Sequence, residues 1–68
     1  MLNGKKLREI RITKGYTSRD LSIITNVSKS YIEELERGDK NNPTFSIVER
    51  LADALGVELD KLRIRTVS

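Results

Sequence analysis

Sixty-eight residues leave room for one small domain, and a chain this short buries only about 60% of its unfolded surface, so it needs tight packing or a partner. The chain has no Cys and no His, which excludes disulfide staples, thiolate or imidazole metal sites and imidazole catalysis. Apolar residues at 37%, charged residues at 34% and a net charge of +3 suit a small soluble helical domain; no apolar run nears the ~20 residues of a bilayer span and no signal-peptide stretch opens the chain, which points to a cytoplasmic protein.

Apolar periodicity and end signals divide the chain into five expected helices. The first runs from about Asn3 to Lys14, with Leu7 and Ile10 on its apolar face. The second runs from about Ser18 to Thr25, anchored by Leu21, and the third from about Lys29 to Arg37, with Ile32 and Leu35 inward. Gly38 to Pro43 reads as a loop, because Pro43 cannot continue a helix. The fourth helix runs from about Phe45 to Leu55, with Val48, Leu51, Ala52 and Leu55 at helical spacing. The fifth is short, from about Leu59 to Ile64, with Leu62 inward. Gly15, Asn26, Gly38 and Gly56 stand where helices end. Thr17, Ser28 and Thr44 stand where they begin, and Thr17 with Asp20 imitates a capping box. Val27 and Val57 plug the turns before helices three and five, and Phe45 is expected in the core. Strand alternation is ambiguous only from Arg63 to Val67, so the class is all-α. The whole chain, 1–68, reads as one domain, and Met1 fits a natural start.

Charge is uneven along the chain. Lys5, Lys6, Arg8, Arg11, Lys14, Arg19 and Lys29 face only Glu9 and Asp20 in the first thirty-one residues, whereas bases and acids balance from Asn41 onward. This asymmetry favours a polyanionic partner, and a plain solvated surface accounts for it equally well.

The second and third helices are joined by Thr25-Asn26-Val27-Ser28, a short turn with a left-handed-tolerant residue followed by a cap. Two short helices joined this way, over about residues 17–37, form a helix-turn-helix, whose second helix fits a major groove about 12 Å wide. Helical hairpins of this kind also occur where no DNA is bound. The wider pattern is more specific. Leu7-Arg8-x-x-Arg11-x-x-x-Gly15-Tyr16-Thr17 is followed by Leu21-Ser22, Asn26-Val27-Ser28, Ile32, Leu35-Glu36-Arg37-Gly38, Pro43 and Leu51-Ala52-x-x-Leu55-Gly56-Val57. Across about residues 4 to 62 this resembles the Cro/C1-type helix-turn-helix family, the DNA-binding domains of phage repressors and their bacterial relatives. The resemblance implies a lambda-repressor-like compact five-helix bundle that binds a pseudo-palindromic operator in double-stranded DNA as a homodimer.

It also implies roles for residues. Arg11 and Glu36 match two positions that form a partly buried ion pair setting the angle of helix three. Lys29, Ser30 and Glu34, with Ser28 at the cap, match positions that reach base edges. Lys donates to guanine O6 and N7, Ser to several bases, and Glu accepts from cytosine N4. Glu33 is expected to angle away or to pair with Lys29 or Arg37. Thr17, Ser18, Arg19, Lys40, Asn41, Asn42 and the backbone N–H of Phe45 match phosphate-contacting positions. Tyr31 either meets sugar or a thymine methyl, or covers the core edge.

The chain also departs from the family pattern. Ser18 replaces a usual Gln and is too short to bridge phosphate and base, so Arg19 takes the phosphate contact. Ile12, Ile23 and Ile24 stand at commonly polar positions, with Ile24 expected to repack inward because Thr25 occupies an apolar slot. A contiguous patch of them would suit a protein partner. Leu59, Leu62, Ile64 and Val67 form an expected dimer edge.

The leading reading is a sequence-specific regulator, of repressor type, controlled through its concentration, dimerisation, a partner or degradation. The alternative is a protein-interaction module of the same fold, an antitoxin or an anti-repressor target. An enzyme is the least supported class, since Glu33, Glu34 and Glu36 lie on different faces of one helix and no Gly-rich phosphate loop is present. No metal or other cofactor is expected.

Overall fold

A computed structural model of the chain describes residues 2–63. Among them are four α-helices and one 3-10 turn: α1 (Gly4–Thr13), α2 (Ser18–Thr25), α3 (Lys29–Arg37), α4 (Phe45–Leu55) and the turn Leu59–Leu62. Local chemistry fixes each boundary. Asn3 accepts from the Lys6 N–H to open α1, and Thr17, Ser28 and Thr44 do the same for α2, α3 and α4 through the N–H groups of Asp20, Tyr31 and Ile47. Thr17 and Asp20 form a complete capping box. Asn26, Gly38 and Gly56 end α2, α3 and α4 in left-handed geometry.

The core gathers Leu2, Leu7, Leu21, Val27, Ile32, Leu35, Leu51, Ala52, Leu55 and Leu62. Ile10, Tyr16, Tyr31, Ile47, Val48, Ala54, Val57 and Leu59 pack around it. α3 lies between α1 and α2, while α4 packs on α2 and carries the 3-10 turn, which also touches α1. The element that presents the candidate surface is therefore braced from two sides.

The expected fifth helix, Leu59 to Ile64, is instead the four-residue 3-10 turn Leu59–Leu62. Two features explain the difference. Glu58 supplies no side-chain cap. Beyond the turn, Arg63 is extended and pairs with Leu2 in an antiparallel bridge, while the Asn3 N–H donates to the Leu62 carbonyl at 2.7 Å. With φ −94 and ψ 146, Arg63 leaves helical geometry, so no α-helix runs on past Leu62. Ile64 and Val67 lie outside the described residues.

Three further expectations are corrected. Phe45, expected in the core, is 67% exposed. It is the first residue of α4, and its side chain lines an open groove beside Leu2, Pro43, Val48 and Leu59 instead of entering the core. Ile24 does not turn inward and is 52% exposed, whereas Thr25 is buried at 5%. The slot tolerates Thr25 because its hydroxyl donates to the Leu21 carbonyl at 2.7 Å. Leu62, placed on the dimer edge, is fully buried and belongs to the core.

Candidate nucleic-acid interface

The turn between α2 and α3 is held by short-range bonds. Asn26 sits at φ 59 and ψ 31, and its N–H reaches the Ser22 carbonyl. Thr25 Oγ1 accepts from the Val27 N–H at 3.3 Å, and Val27 drops into the core. Ser28 Oγ then accepts from the Tyr31 N–H at 3.1 Å. Burial of Ile32 and Leu35 turns the opposite face of α3 outward. On that outer side Ser28, Lys29 and Ser30 are exposed and Glu34 is half-buried. Tyr31 is half-buried against the core, so its ring covers the core edge.

Arg11 and Glu36 bind α1 to the end of α3. Arg11 Nε donates to Glu36 Oε2 at 2.6 Å, and a second guanidinium nitrogen donates to Oε1 at 3.0 Å. The third donates to the Tyr16 carbonyl at 2.9 Å, which also secures the entry to α2. The Glu36 hydrogen bond, strengthened by its charge, raises the Arg11 pKa above its ordinary value despite the burial that opposes it. This two-pronged pair sets α3 at a fixed angle on α1.

At the start of α2, the Thr17 N–H donates to Asp20 at 3.0 Å and the Asp20 N–H returns to the Thr17 hydroxyl at 3.0 Å. The Thr17 backbone bond, followed by its hydroxyl, holds the Asp20 carboxyl below its ordinary value. Arg19 is exposed beside this box. Glu33 receives Lys29 Nζ at 3.0 Å and Ser18 Oγ at 3.4 Å, so Ser18 and Lys29 meet at one carboxylate oxygen. That Lys29 bond is the main reason the Glu33 carboxyl titrates below its ordinary value. Arg37 turns to Asp39 at 2.9 Å instead. Sequence reasoning placed Glu33 near Lys29 from their helical spacing but missed its link to Ser18, for which the chain carries no local signal.

Lys40, Asn41 and Asn42 are exposed in the loop after α3. The loop is tied down at both ends, since the Lys40 N–H reaches the Glu34 carbonyl at 3.3 Å and the Leu2 N–H reaches the Asn41 carbonyl at 2.9 Å. The Phe45 N–H heads α4, one of the first-turn donors that a helix itself leaves without a partner. Leu59, the remaining described member of the expected dimer edge, is half-buried and lines an open groove of about 390 Å³ with Leu2, Pro43, Phe45 and Val48. Among the described residues, no group of three or more Asp or Glu could hold a metal ion, and no helix is long and apolar enough to cross a membrane.

This geometry defines a helix-turn-helix surface, and comparison with known proteins agrees. A helix-turn-helix family model matches residues 7–62. The transcriptional regulator SlrR of Bacillus subtilis is 37% identical over 59 residues, which is 87% of this chain and 39% of SlrR. The immunity repressor of Bacillus phage phi105 is 34% identical over 62 residues, covering 91% of this chain and 42% of the repressor. The restriction-modification controller protein C.AhdI of Aeromonas hydrophila superposes with a TM-score of 0.83 at 33% identity, over 88% of this chain and 89% of that one. The biofilm regulator SinR, solved in complex with DNA, superposes with a TM-score of 0.81 at 30% identity, over 84% of this chain and 90% of that one. The chain belongs to the Cro/C1-type helix-turn-helix family. It spans about two fifths of the length of the first two curated relatives.

Proposed function

We propose that the chain is a sequence-specific double-stranded DNA-binding regulator of transcription, of repressor type, that docks α3 in the major groove as a homodimer. The observation that carries this reading is the rigid α2–α3 unit, with an αL turn at Asn26 and an exposed N-terminal end of α3. Its likeness to SinR in complex with DNA supports the docking. Lys29, Ser30 and Glu34, with Ser28, are the base readers. Thr17, Ser18, Arg19, Lys40, Asn41, Asn42 and the Phe45 N–H grip phosphates at the rim. Tyr31 packs on the core yet is half-exposed, so it braces the reading helix and meets the backbone from its free edge. The dimer edge rests on Leu59 and its apolar groove. Two protomers on one side of the duplex place half-sites about 34 Å apart. Such a protein works in the cytoplasm, where its DNA lies.

Selection from a random duplex pool at ~150 mM salt tests the reading under physiological screening. Enrichment of a two-fold-symmetric motif is the expected outcome. A folded sample that enriches no motif overturns it and directs attention to a protein ligand instead.

A further inference from the structure

Ser18 is the first residue of α2 and Lys29 is the first residue of α3, yet both aim their donors at Glu33 Oε2, at 3.4 and 3.0 Å. Helix N-termini are natural phosphate sites, through their free N–H groups and positive dipole ends. One carboxylate oxygen thus draws on two donors that stand where a nucleic-acid backbone would approach. Of the guanidinium groups near Glu33, Arg11 holds Glu36 and Arg37 holds Asp39, while Arg8 lines the same surface hollow without an ion pair to Glu33. Lys29 is the cation that Glu33 pairs with directly.

The geometry points to Glu33 as an internal competitor of DNA phosphate, a residue that restrains sequence-independent binding by occupying Ser18 and Lys29 until a duplex displaces it. This inference rests on the DNA-binding reading above. A duplex that offers only its backbone must exchange a nearby, correctly placed carboxylate for a phosphate, with little gain. A duplex that also engages Lys29, Ser30 and Glu34 at base edges adds contacts that Glu33 cannot supply. Glu33 would then set how strongly the protein rests on ordinary DNA while touching no base itself.

The experiment titrates the 68-residue chain against a labelled random-sequence duplex over a range of salt concentrations. Glu33→Gln keeps an acceptor for Ser18 and removes the charge. Glu58→Gln, just ahead of the 3-10 turn, makes the same change in net charge elsewhere. Glu33→Gln should bind the duplex several-fold more tightly at the lowest salt. Its log–log salt dependence should steepen by about 0.9, the equivalent of one more phosphate contact. Glu58→Gln should move both less, and the Glu33→Gln gain should vanish in a Lys29→Gln background. Equal effects of the two Glu variants, weaker binding by Glu33→Gln, or a gain that survives without Lys29 would overturn the inference and leave the DNA-binding reading standing. Failure of the unaltered chain and of Glu33→Gln to bind any duplex at low salt would overturn both.

Discussion

Gly4 lies directly against the carbonyl of Leu35: a Cβ at Gly4 would stand 1.9 Å from that oxygen and 3.0 Å from the carbonyl oxygen of Glu36. The opening turn of α1 therefore touches the backbone at the end of α3, and neither carbonyl can swing aside as a flexible side chain would. Gly4→Ala should destabilise the fold by roughly 1–3 kcal/mol through overpacking. That outweighs the gain in helix propensity, which is at most about 1 kcal/mol. Urea unfolding checks this, and a midpoint equal to or above that of the unaltered chain would refute it.

The Arg11–Glu36 pair, with side-chain exposures of 13% and 7%, has little water to replace a missing partner. Arg11→Ala leaves the Glu36 carboxylate without its partner and frees the Tyr16 carbonyl. A loss of about 3–5 kcal/mol is expected, a large part of the ~5–15 kcal/mol available to a small domain. Glu36→Leu added to Arg11→Met should recover much of it, because two apolar groups leave no orphaned charge. A melting temperature unchanged within error in Arg11→Ala would refute the structural role.

Thr25 tests the turn itself. Its hydroxyl donates to the Leu21 carbonyl and accepts from the buried Val27 N–H. Thr25→Val keeps the shape and removes the acceptor, so it should cost about 1–3 kcal/mol for the unsatisfied N–H. Thr25→Ser keeps the hydroxyl and should cost less. Chemical denaturation of the two variants decides the matter, and the reverse order would show that packing outweighs the hydrogen bonds.

The capping box makes a pH-dependent contribution. Because the Thr17 N–H holds the folded Asp20 carboxyl below its ordinary 3.8, its contribution to stability is complete above that value and falls away as acid protonates the folded form. Thr17 and Asp20 sit on the surface, so the effect is small. Asp20→Ala should melt below the unaltered chain at pH 7, with the gap closing as pH drops below about 3.8. A gap of constant size down to strong acid would exclude this linkage.

The helix ends were legible because each rests on a few neighbouring residues. Asn26, Gly38 and Gly56 carry left-handed geometry that few side chains accept, and Thr17, Ser28 and Thr44 bond within three residues of themselves. The turn and the outward end of α3 follow from those local bonds. What escaped depends on distant segments. Gly4 reads as a poor helix former until Leu35 arrives beside it. Leu2 occupies the position before the Asn3 cap, with Leu7 at the fourth helical place; that staple pattern was a usable signal for its burial. Phe45 continues the apolar spacing of α4, so nothing nearby marks it as lying beyond the core's edge. Glu33 shows its link to Lys29 through spacing but not its link to Ser18, which requires α2 and α3 in place.

The bridge between Leu2 and Arg63 makes the domain a nearly closed loop of chain. The caps of α1 to α4 lie within a few residues of the helices they bound, but Leu2 acquires its extended partner only with the sixty-first residue after it. Until then the beginning of α1 lacks the strand-like clasp that holds it beside the 3-10 turn, and closing so long a loop carries an entropic cost that grows with its length. The α1 helix that braces α3 is thus itself clasped by a segment made after both, so a half-made chain would present α3 on an unfinished support.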